Sequence, residues 1–512
     1  MIFDNASKCC HYAGLFHALD NNEVELDTPS THKKSKKTGK VSYNVDIHSF
    51  VFGDRTTIIS CRCPNGKRFT VLDFNNFIDN ISASLVLPSV RAIAMQEEIE
   101  TLRKTLTDIG MSDWKNTIAS LSMNCYKANL PECPVYSHNT PEAKQIERNS
   151  FYGGQTTVFG VGHIGSTCHY VDIASMYPSI MIKHNLPTKL ISCFLNVNCN
   201  PDQLATDPID CIVKCRVHSE HVAYPVTLDN ITWHCTGEFD TTLAGPEFEQ
   251  AINAGHVVKV YNICEYERQP IFRDHMMKLW DKRQDFKQAG NTSQANAIKL
   301  LMNSLQGKFG QRSSDLVYRP DIYPPTRWGS WRDWSDEKQC WLTYRICADS
   351  AFEVCDKSEI SGSIPAIPSY IASYGRVVMN RIRKQALPGL VYYQGVDALL
   401  VNDLALDSLS KNGMIATDTI GKLRIQHSAE SATVYGYSHY RIGDKLCQTG
   451  AKTTATRTTD TMFTQKVFPT LKRAAFVGPD SQYSESNRVV FSEKTVSQHA
   501  NTPFVFIPFR RL

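Results

Sequence analysis

One stretch constrains the fold of this chain more than any other: Leu390-Val391-Tyr392-Tyr393-Gln394-Gly395-Val396-Asp397-Ala398-Leu399-Leu400-Val401. Two β-rich apolar runs meet at a lone aspartate, with Gly395 beside it to permit a tight turn, so the pattern reads strand, turn, strand. An acid at such a tip is on display. A second string, Tyr170-Val171-Asp172-Ile173-Ala174-Ser175-Met176-Tyr177-Pro178-Ser179, reads as a strand from His169 that ends at Asp172, followed by a turn and a helix start with proline in its first turn. Each acid alone fits an ordinary turn or capping aspartate. Together they are read as a pair, Asp172 and Asp397, that shares metal ions.

A third string lies between them, Lys299-Leu300-Leu301-Met302-Asn303-Ser304-Leu305-Gln306-Gly307-Lys308-Phe309-Gly310-Gln311. Lys299, Asn303 and Gln306 stand at i, i+4 and i+7, which puts all three on one face of a helix. A solvent face is the plain reading. A lysine and two amides beside Gly307, with Arg283 and Lys287 on the preceding helix, also suit a triphosphate, because they offer donors fixed in direction and room for a base pair. The helices span 272–287 and 293–305 and are broken at Gly290-Asn291-Thr292, so the spacing predicts a helical hairpin. Met276, Leu279 and Trp280 form the apolar side of its first arm, and Arg283 falls among the rest.

Composition limits the alternatives. With 512 residues, 42% hydrophobic and 21% charged, the chain has the balance of a soluble globular protein with room for several domains. Net charge is only +4, too weak to name nucleic acid as a partner without local clustering. The 17 cysteines form no regular framework, and no secretory signal precedes them, so reduced thiols in a cytoplasmic setting are expected, or a nuclear one in a eukaryotic host. No apolar run approaches the roughly 20 residues that span a bilayer, so no membrane partner is expected.

Lys33 to Lys40 is a basic cluster without an apolar face, either solvated or a phosphate-binding arm. Short alternating runs at 43–52, 56–63 and 69–74 suggest a small β-rich unit, followed by helices over 90–106 and 114–126. Gly160-Val161-Gly162-His163-Ile164-Gly165 satisfies GxGxxG. A strand at 167–171 follows where a dinucleotide fold needs a helix, so the string reads as a hairpin turn. The stretch 190–261 alternates strands and turns, with a short helix opening at Gly245-Pro246-Glu247. The tryptophan-rich stretch 316–360 reads as an inserted hairpin or loop, a helix covers 369–385, and 415–440 is strand-like.

In order, an acid followed by Ser-Met-Tyr-Pro-Ser, a helix with Lys, Asn-Ser and Gly, and a hairpin with one acid resemble the palm and fingers motifs of family B DNA polymerases. Phe151-Tyr152-Gly153-Gly154, just ahead, resembles the element that marks the protein-primed viral and phage branch. The resemblance covers about 148–440. It implies an α+β right-hand fold: a basic extension (1–40), a reduced exonuclease-like domain (41–147), a first part of the palm (148–265), fingers (266–312), a second part of the palm (313–445) and a small thumb (446–512). It implies a template-directed DNA polymerase that adds dNTPs to the 3′-end of primer-template DNA, with a terminal protein as a further partner.

By the same resemblance Asp172 and Asp397 hold two Mg²⁺ ions, for which Mn²⁺ can substitute, and the Ile173 carbonyl completes the shell. Two-metal phosphoryl transfer agrees with that assignment, because hard cations prefer carboxylate oxygens. Ser175 and Met176 would meet phosphates with their amides, Tyr177 would press on the sugar, and Arg283, Lys299 and Asn303 would bind the nucleotide. Tyr152, Gly153, Gly154, Gly307 and Tyr440 would contact DNA. The chain departs from the family at Gln306, where tyrosine is usual, at Gly395, where the hairpin's first acid is usual, and at Ser438, where a lysine is usual. For a proofreading site the N-terminal part offers only Asp46-Ile47-His48 and Glu97 or Glu98, which predicts an exonuclease remnant without proofreading. A non-catalytic DNA-binding component and a template-independent nucleotidyltransferase stand as alternatives.

Overall fold

The computed structural model describes residues 88–448 apart from positions 132, 205, 229–230, 313–315, 348, 356–358, 360–361, 387–388 and 418, together with residue 77 and the backbone of short strands on either side. The basic cluster at 33–40, Asp46 to His48 and most of 446–512 lie outside the described residues.

Nine helices occur among the described residues: α1 Pro88–Asp108, α2 Ile118–Ala128, α3 Pro141–Ser150, α4 Met176–Lys183, α5 Gly245–Asn253, α6 Arg273–Gln288, α7 Thr292–Phe309, α8 Ala366–Gln385 and α9 Asp403–Lys411. The architecture is α+β, as expected. At its centre is an antiparallel sheet of five strands: β1 Thr156–Val158, β2 Cys168–Ile173, β3 Val391–Gly395, β4 Ala398–Asn402 and β5 Leu423–Ala429. Their order across the sheet is β5-β2-β4-β3-β1, which puts the two acid-bearing strands side by side in the middle. Val171, Leu399, Leu400 and Val401 are fully buried, and the Cys168-His169-Tyr170-Val171 run has the β-branched and aromatic content that suits a packed pleat.

The helical hairpin forms as its spacing predicts, and Asn291 caps the second arm by accepting a hydrogen bond from the Gln294 backbone N–H. Leu301, Met302 and Leu305 on α7 are buried, each worth roughly 1.5–3 kcal/mol, enough to fix which face of α7 turns inward. That face shares one core with Leu102 and Leu106 of α1 and with Leu121 and Tyr126 of α2. The α1–α2 unit therefore packs onto the α6–α7 hairpin, and Glu98 accepts from Gln294 of α7 through its backbone carbonyl at 2.8 Å as well as its carboxylate. The α8 helix buries Tyr370, Ile371 and Met379 and packs on α3, α4 and α5.

The stretch 190–261 forms most of a second sheet, in which Cys211–Leu228 and Ile231–Ala244 make a long hairpin flanked by Val257–Gln269 and Leu186–Phe194. The tryptophan-rich insertion is a four-stranded antiparallel sheet spanning 316–354. The GxGxxG string is a strand and turn, Gly162–Ile164, paired with Ala432–Gly436. No described helix is long and apolar enough to cross a membrane.

Candidate active site

The two acids meet by strand register. Ala398 of β4 lies opposite Asp172 of β2, and the Ile173 backbone N–H donates to the Asp397 carbonyl at 2.8 Å. The Asp397 carboxyl is pushed above its ordinary range, first by burial and then by the negative charge of Asp172, while Lys299 and Arg424 pull it part of the way back. The charge of Lys299 on α7 thus acts on the Asp397 carboxyl.

The turn is not built as the sequence suggested. Gly395 stays within β3, and the left-handed residue is Val396, at φ 53°. A β-branched residue in that region carries strain of about 1–3 kcal/mol. Two contacts hold it there: the Val396 N–H donates to the Gln155 carbonyl at 2.8 Å, and Gly154 lies directly beneath. A Cβ on Gly154 would stand 2.4 Å from Val396 Cγ1 and 3.2 Å from Tyr177 Oη. Glycine at 154 is therefore required by the close approach of the turn that presents Asp397.

On the other side, Ser175 adopts φ 52° and turns the chain sharply from β2 into α4. The Ala174 N–H donates to the Lys422 carbonyl and the Gly421 N–H donates to the Ala174 carbonyl, which clamps this turn from the loop ahead of β5. The Met176 side chain is buried, leaving its backbone at the helix N-terminus. Arg283 of α6 is buried instead of lying on the polar side of its helix. It donates to Ser175 Oγ at 3.1 Å and lies over the Trp280 ring at 5.4 Å. Arg283 and Ser175, two of the residues assigned to the nucleotide, thus meet. Tyr177 is half-buried between Gly154 and Gly375. Asn303 is half-buried one turn along α7 from Lys299, and Gly307 is exposed.

Two residues assigned to DNA are placed differently. Tyr152 is buried, with its hydroxyl 3.2 Å from Thr241 Oγ1 and the Arg376 guanidinium against its ring, while Gly153 is the exposed member of the string. Tyr440 is also buried, stacked on Tyr170 with centroids 5.6 Å apart and tilted against Tyr393. Aromatic rings of this size fill core space unless a strand edge exposes them, and neither does. The Tyr152-Gly153 backbone is held by Arg376 of α8, whose Nη1 donates to both carbonyls at 3.0 and 2.8 Å. Arg376 is itself neutralised by Glu247 of α5, a fully buried pair with an Nε–Oε1 distance of 2.7 Å.

The sequence reading also missed what holds Asp172. Arg424 of β5 donates from Nε and Nη2 to the two carboxyl oxygens at 2.9 and 3.1 Å, and Gln426 donates to Oδ1 at 2.8 Å. The signal was present as the alternating polar residues Lys422, Arg424 and Gln426, which a strand puts on one face. A carboxylate offers about four lone-pair sites, so these three bonds leave Asp172 with little free acceptor capacity.

The residues nonetheless fit a divalent cation. A buried carboxyl whose charge is opposed by a neighbouring carboxylate is relieved by a shared cation, and hard oxygen donors suit Mg²⁺ or Mn²⁺. Among the described residues no group of three or more His, Cys, Asp or Glu is arranged to hold a metal. Two carboxylates with waters and substrate oxygens are the donor set that Mg²⁺ usually takes.

Residues 94–318 match the family "DNA polymerase type B, organellar and viral". Over that stretch the chain is similar to type B DNA polymerases. It is 25% identical over 345 residues to a probable DNA polymerase of Ascobolus immersus, a match covering 62% of this chain and 26% of that protein. It is 23% identical over 328 residues to a DNA polymerase of Kluyveromyces lactis, covering 61% of this chain and 32% of that one. The matches thus span only about a quarter to a third of those relatives. The solved structure of Phi29 DNA polymerase with primer-template DNA and incoming nucleotide superimposes with a TM-score of 0.61 at 12% identity, covering 97% of this chain and 90% of that one. Its post-translocation binary complex gives 0.52 at 14% identity, covering 86% and 75%. The right-hand polymerase fold expected from the sequence is therefore the observed one.

Proposed function

We propose that this type B relative is a template-directed DNA polymerase that joins dNTPs to a primer 3′-end and lacks 3′→5′ proofreading. The observation that carries the reading is the pairing of the two central strands that bear Asp172 and Asp397, with the charge of Lys299 acting on the Asp397 carboxyl. Asp172 and Asp397, with the Ile173 carbonyl, would hold the divalent cations, which when bound neutralise phosphate charge and promote ionisation of the primer hydroxyl. Lys299 and Arg283 bring positive charge to the triphosphate, with Asn303 as an amide donor on the same helix. The backbone amides of Ser175 and Met176, at the start of α4, suit phosphate oxygens. Tyr177, fixed between Gly154 and Gly375, sets the width of the sugar pocket. Gly153 and Gly307, both exposed, are the surfaces offered to template and base pair. Tyr152 and Tyr440 support the sheet from within.

The absence of proofreading rests on the sequence, where Asp46-Ile47-His48 is the nearest approach to an exonuclease carboxylate string. A terminal protein as priming partner rests on the Tyr-Gly-Gly resemblance. Primer extension on a primed hairpin with Mg²⁺ tests the central claim. Template-dependent extension is expected from the wild type and none from Asp397→Asn; extension by both, or by neither, rejects it. Degradation of single-stranded DNA that survives Asp172→Ala would contradict the lack of proofreading.

The hold of Arg424 and Gln426 on Asp172 favours a second reading, a non-catalytic DNA-binding component whose palm acid has become a structural ion pair. In that case the wild type binds primer-template but extends nothing.

A further inference from the structure

At the β1–β3 edge of the palm, between the end of α8 and the long 211–228 strand, lies a cavity of about 490 Å³. Its walls are apolar at Phe159, Tyr224 and Val391 and cationic at Arg383 and Lys384. Nothing in the proposed polymerase reaction uses it. Its size falls in the range of about 300–1,000 Å³ typical of small-molecule sites, which pair apolar walls with a few fixed polar groups.

The unusual group is Arg383. Its guanidinium donates to Gln394 Oε1 and Asn380 Oδ1, each at 3.0 Å, and lies over the Phe159 ring at 5.2 Å. Both acceptors are neutral amides, and Arg383 makes no ion pair among the described residues. The acid in the wall, Glu220, is exposed and does not reach it. A half-buried guanidinium is ordinarily matched by a carboxylate, as Arg376 is by Glu247 two turns of α8 away, because an unmatched charge loses hydration without return. Burial alone pushes Arg383 below the ordinary arginine range. The surroundings add to the positive field: His256, bonded to the Tyr224 hydroxyl at 2.8 Å, is pushed down by burial and then by His221, Lys384 and His218.

We infer that this cavity binds a small organic anion, with a phosphate or carboxylate seated on Arg383 and Lys384 and a flat apolar body packed against Phe159, Tyr224 and Val391. The site also communicates with the catalytic turn. Arg383 holds Gln394, the Gln394 side-chain amide reaches Gln155 Oε1 at 3.5 Å, and the Gln155 carbonyl accepts from the Val396 N–H at 2.8 Å. Gln155 also donates to the carbonyl of Val222 in the cavity wall at 2.9 Å. Three links thus join the anion seat to the residue before Asp397.

Isothermal titration of the full chain with 1-naphthyl phosphate tests the site, with inorganic phosphate and 1-naphthol as single-feature probes. Saturable binding tighter than about 1 mM is expected for the naphthyl phosphate, and binding at least about tenfold weaker for each of the other two. Arg383→Gln and Lys384→Glu should each weaken it by about tenfold or more. Lys384 is exposed, so Lys384→Glu carries the test should Arg383→Gln not fold. Lys299→Ala should leave the affinity within about twofold, which separates this cavity from the nucleotide site and makes the result independent of polymerase activity. No saturable binding, binding indifferent to Lys384→Glu, or binding lost in Lys299→Ala overturns the inference.

Discussion

Replacing Arg424 with methionine should tighten the binding of Mn²⁺ to this chain. The Arg424–Asp172 pair is bidentate at 2.9 and 3.1 Å, and its side chains are 31% and 19% exposed. A charge-assisted pair of that geometry is worth about 1.5–3 kcal/mol when shielded. Partial exposure reduces it, and about 1–2 kcal/mol is a fair range for this one. A cation that binds Asp172 must displace or share the guanidinium, so this energy is subtracted from its affinity. Methionine keeps the apolar stem and removes the charge. At about 1.4 kcal/mol per decade, the gain is about 5- to 30-fold in Mn²⁺ affinity, read by electron paramagnetic resonance or calorimetry without DNA or nucleotide. Without metal the variant is less stable, because Asp172 keeps its charge beside Asp397, and the metal-induced rise in melting temperature exceeds that of the wild type. Asp172→Asn is the control and loses the Mn²⁺ response. Affinity that is unchanged within about twofold, or weaker, in Arg424→Met refutes the competition. The pair would then be a support that the cation leaves intact, and the lone-pair argument would fail.

The strained turn makes a second prediction: Gly154→Ala places a methyl 2.4 Å from Val396 Cγ1, so the turn bearing Asp397 must shift. Primer extension should fall by about a hundredfold, the scale of a roughly 1 Å misplacement, while circular dichroism is unchanged. Glu247→Gln leaves the buried Arg376 guanidinium uncompensated and should cost about 3–5 kcal/mol in denaturant unfolding, with a smaller loss when Arg376→Met is added. His275 is buried against Tyr126 and pushed down to about 4 by burial and by Lys278. Its folded-state value lies below the unfolded one of about 6.5. Its contribution is therefore fully present above pH 6.5 and declines as pH falls toward 4, at up to about 1.4 kcal/mol per unit. Urea unfolding at pH 7, 5.5 and 4.5 should show that decline in the wild type and a shallower one in His275→Gln; equal slopes would remove His275 as the cause.

Much of this protein was legible without coordinates, because the signals are local. The strand–turn–strand around Asp397, the strand and helix around Asp172, and the hairpin of α6 and α7 follow from periodicities of two and 3.6 residues and from turn chemistry. The order of the three strings carried the family resemblance. Boundaries moved by a few residues: the hairpin's second arm begins at Thr292 and runs to Phe309, past the Leu305 limit that its apolar pattern suggested.

What the sequence alone could not decide was which charge answers which. Whether Arg283 sits on a wet face or inside depends on Trp280 and Ser175 closing over it. Tyr152 and Tyr440 look the same in sequence whether displayed to DNA or packed inward, and the neighbouring sheets settled it. The partner of Asp172 lies 252 residues away. It arrives only because β5 pairs with β2 so that Arg424 falls directly opposite Asp172, with an irregularity between Ile425 and His427. A slip of one residue would turn Arg424 to the other face of the sheet. Local patterning made the strands and presented the acids, and strand register, a property of the assembled sheet, chose the cation that holds one of them.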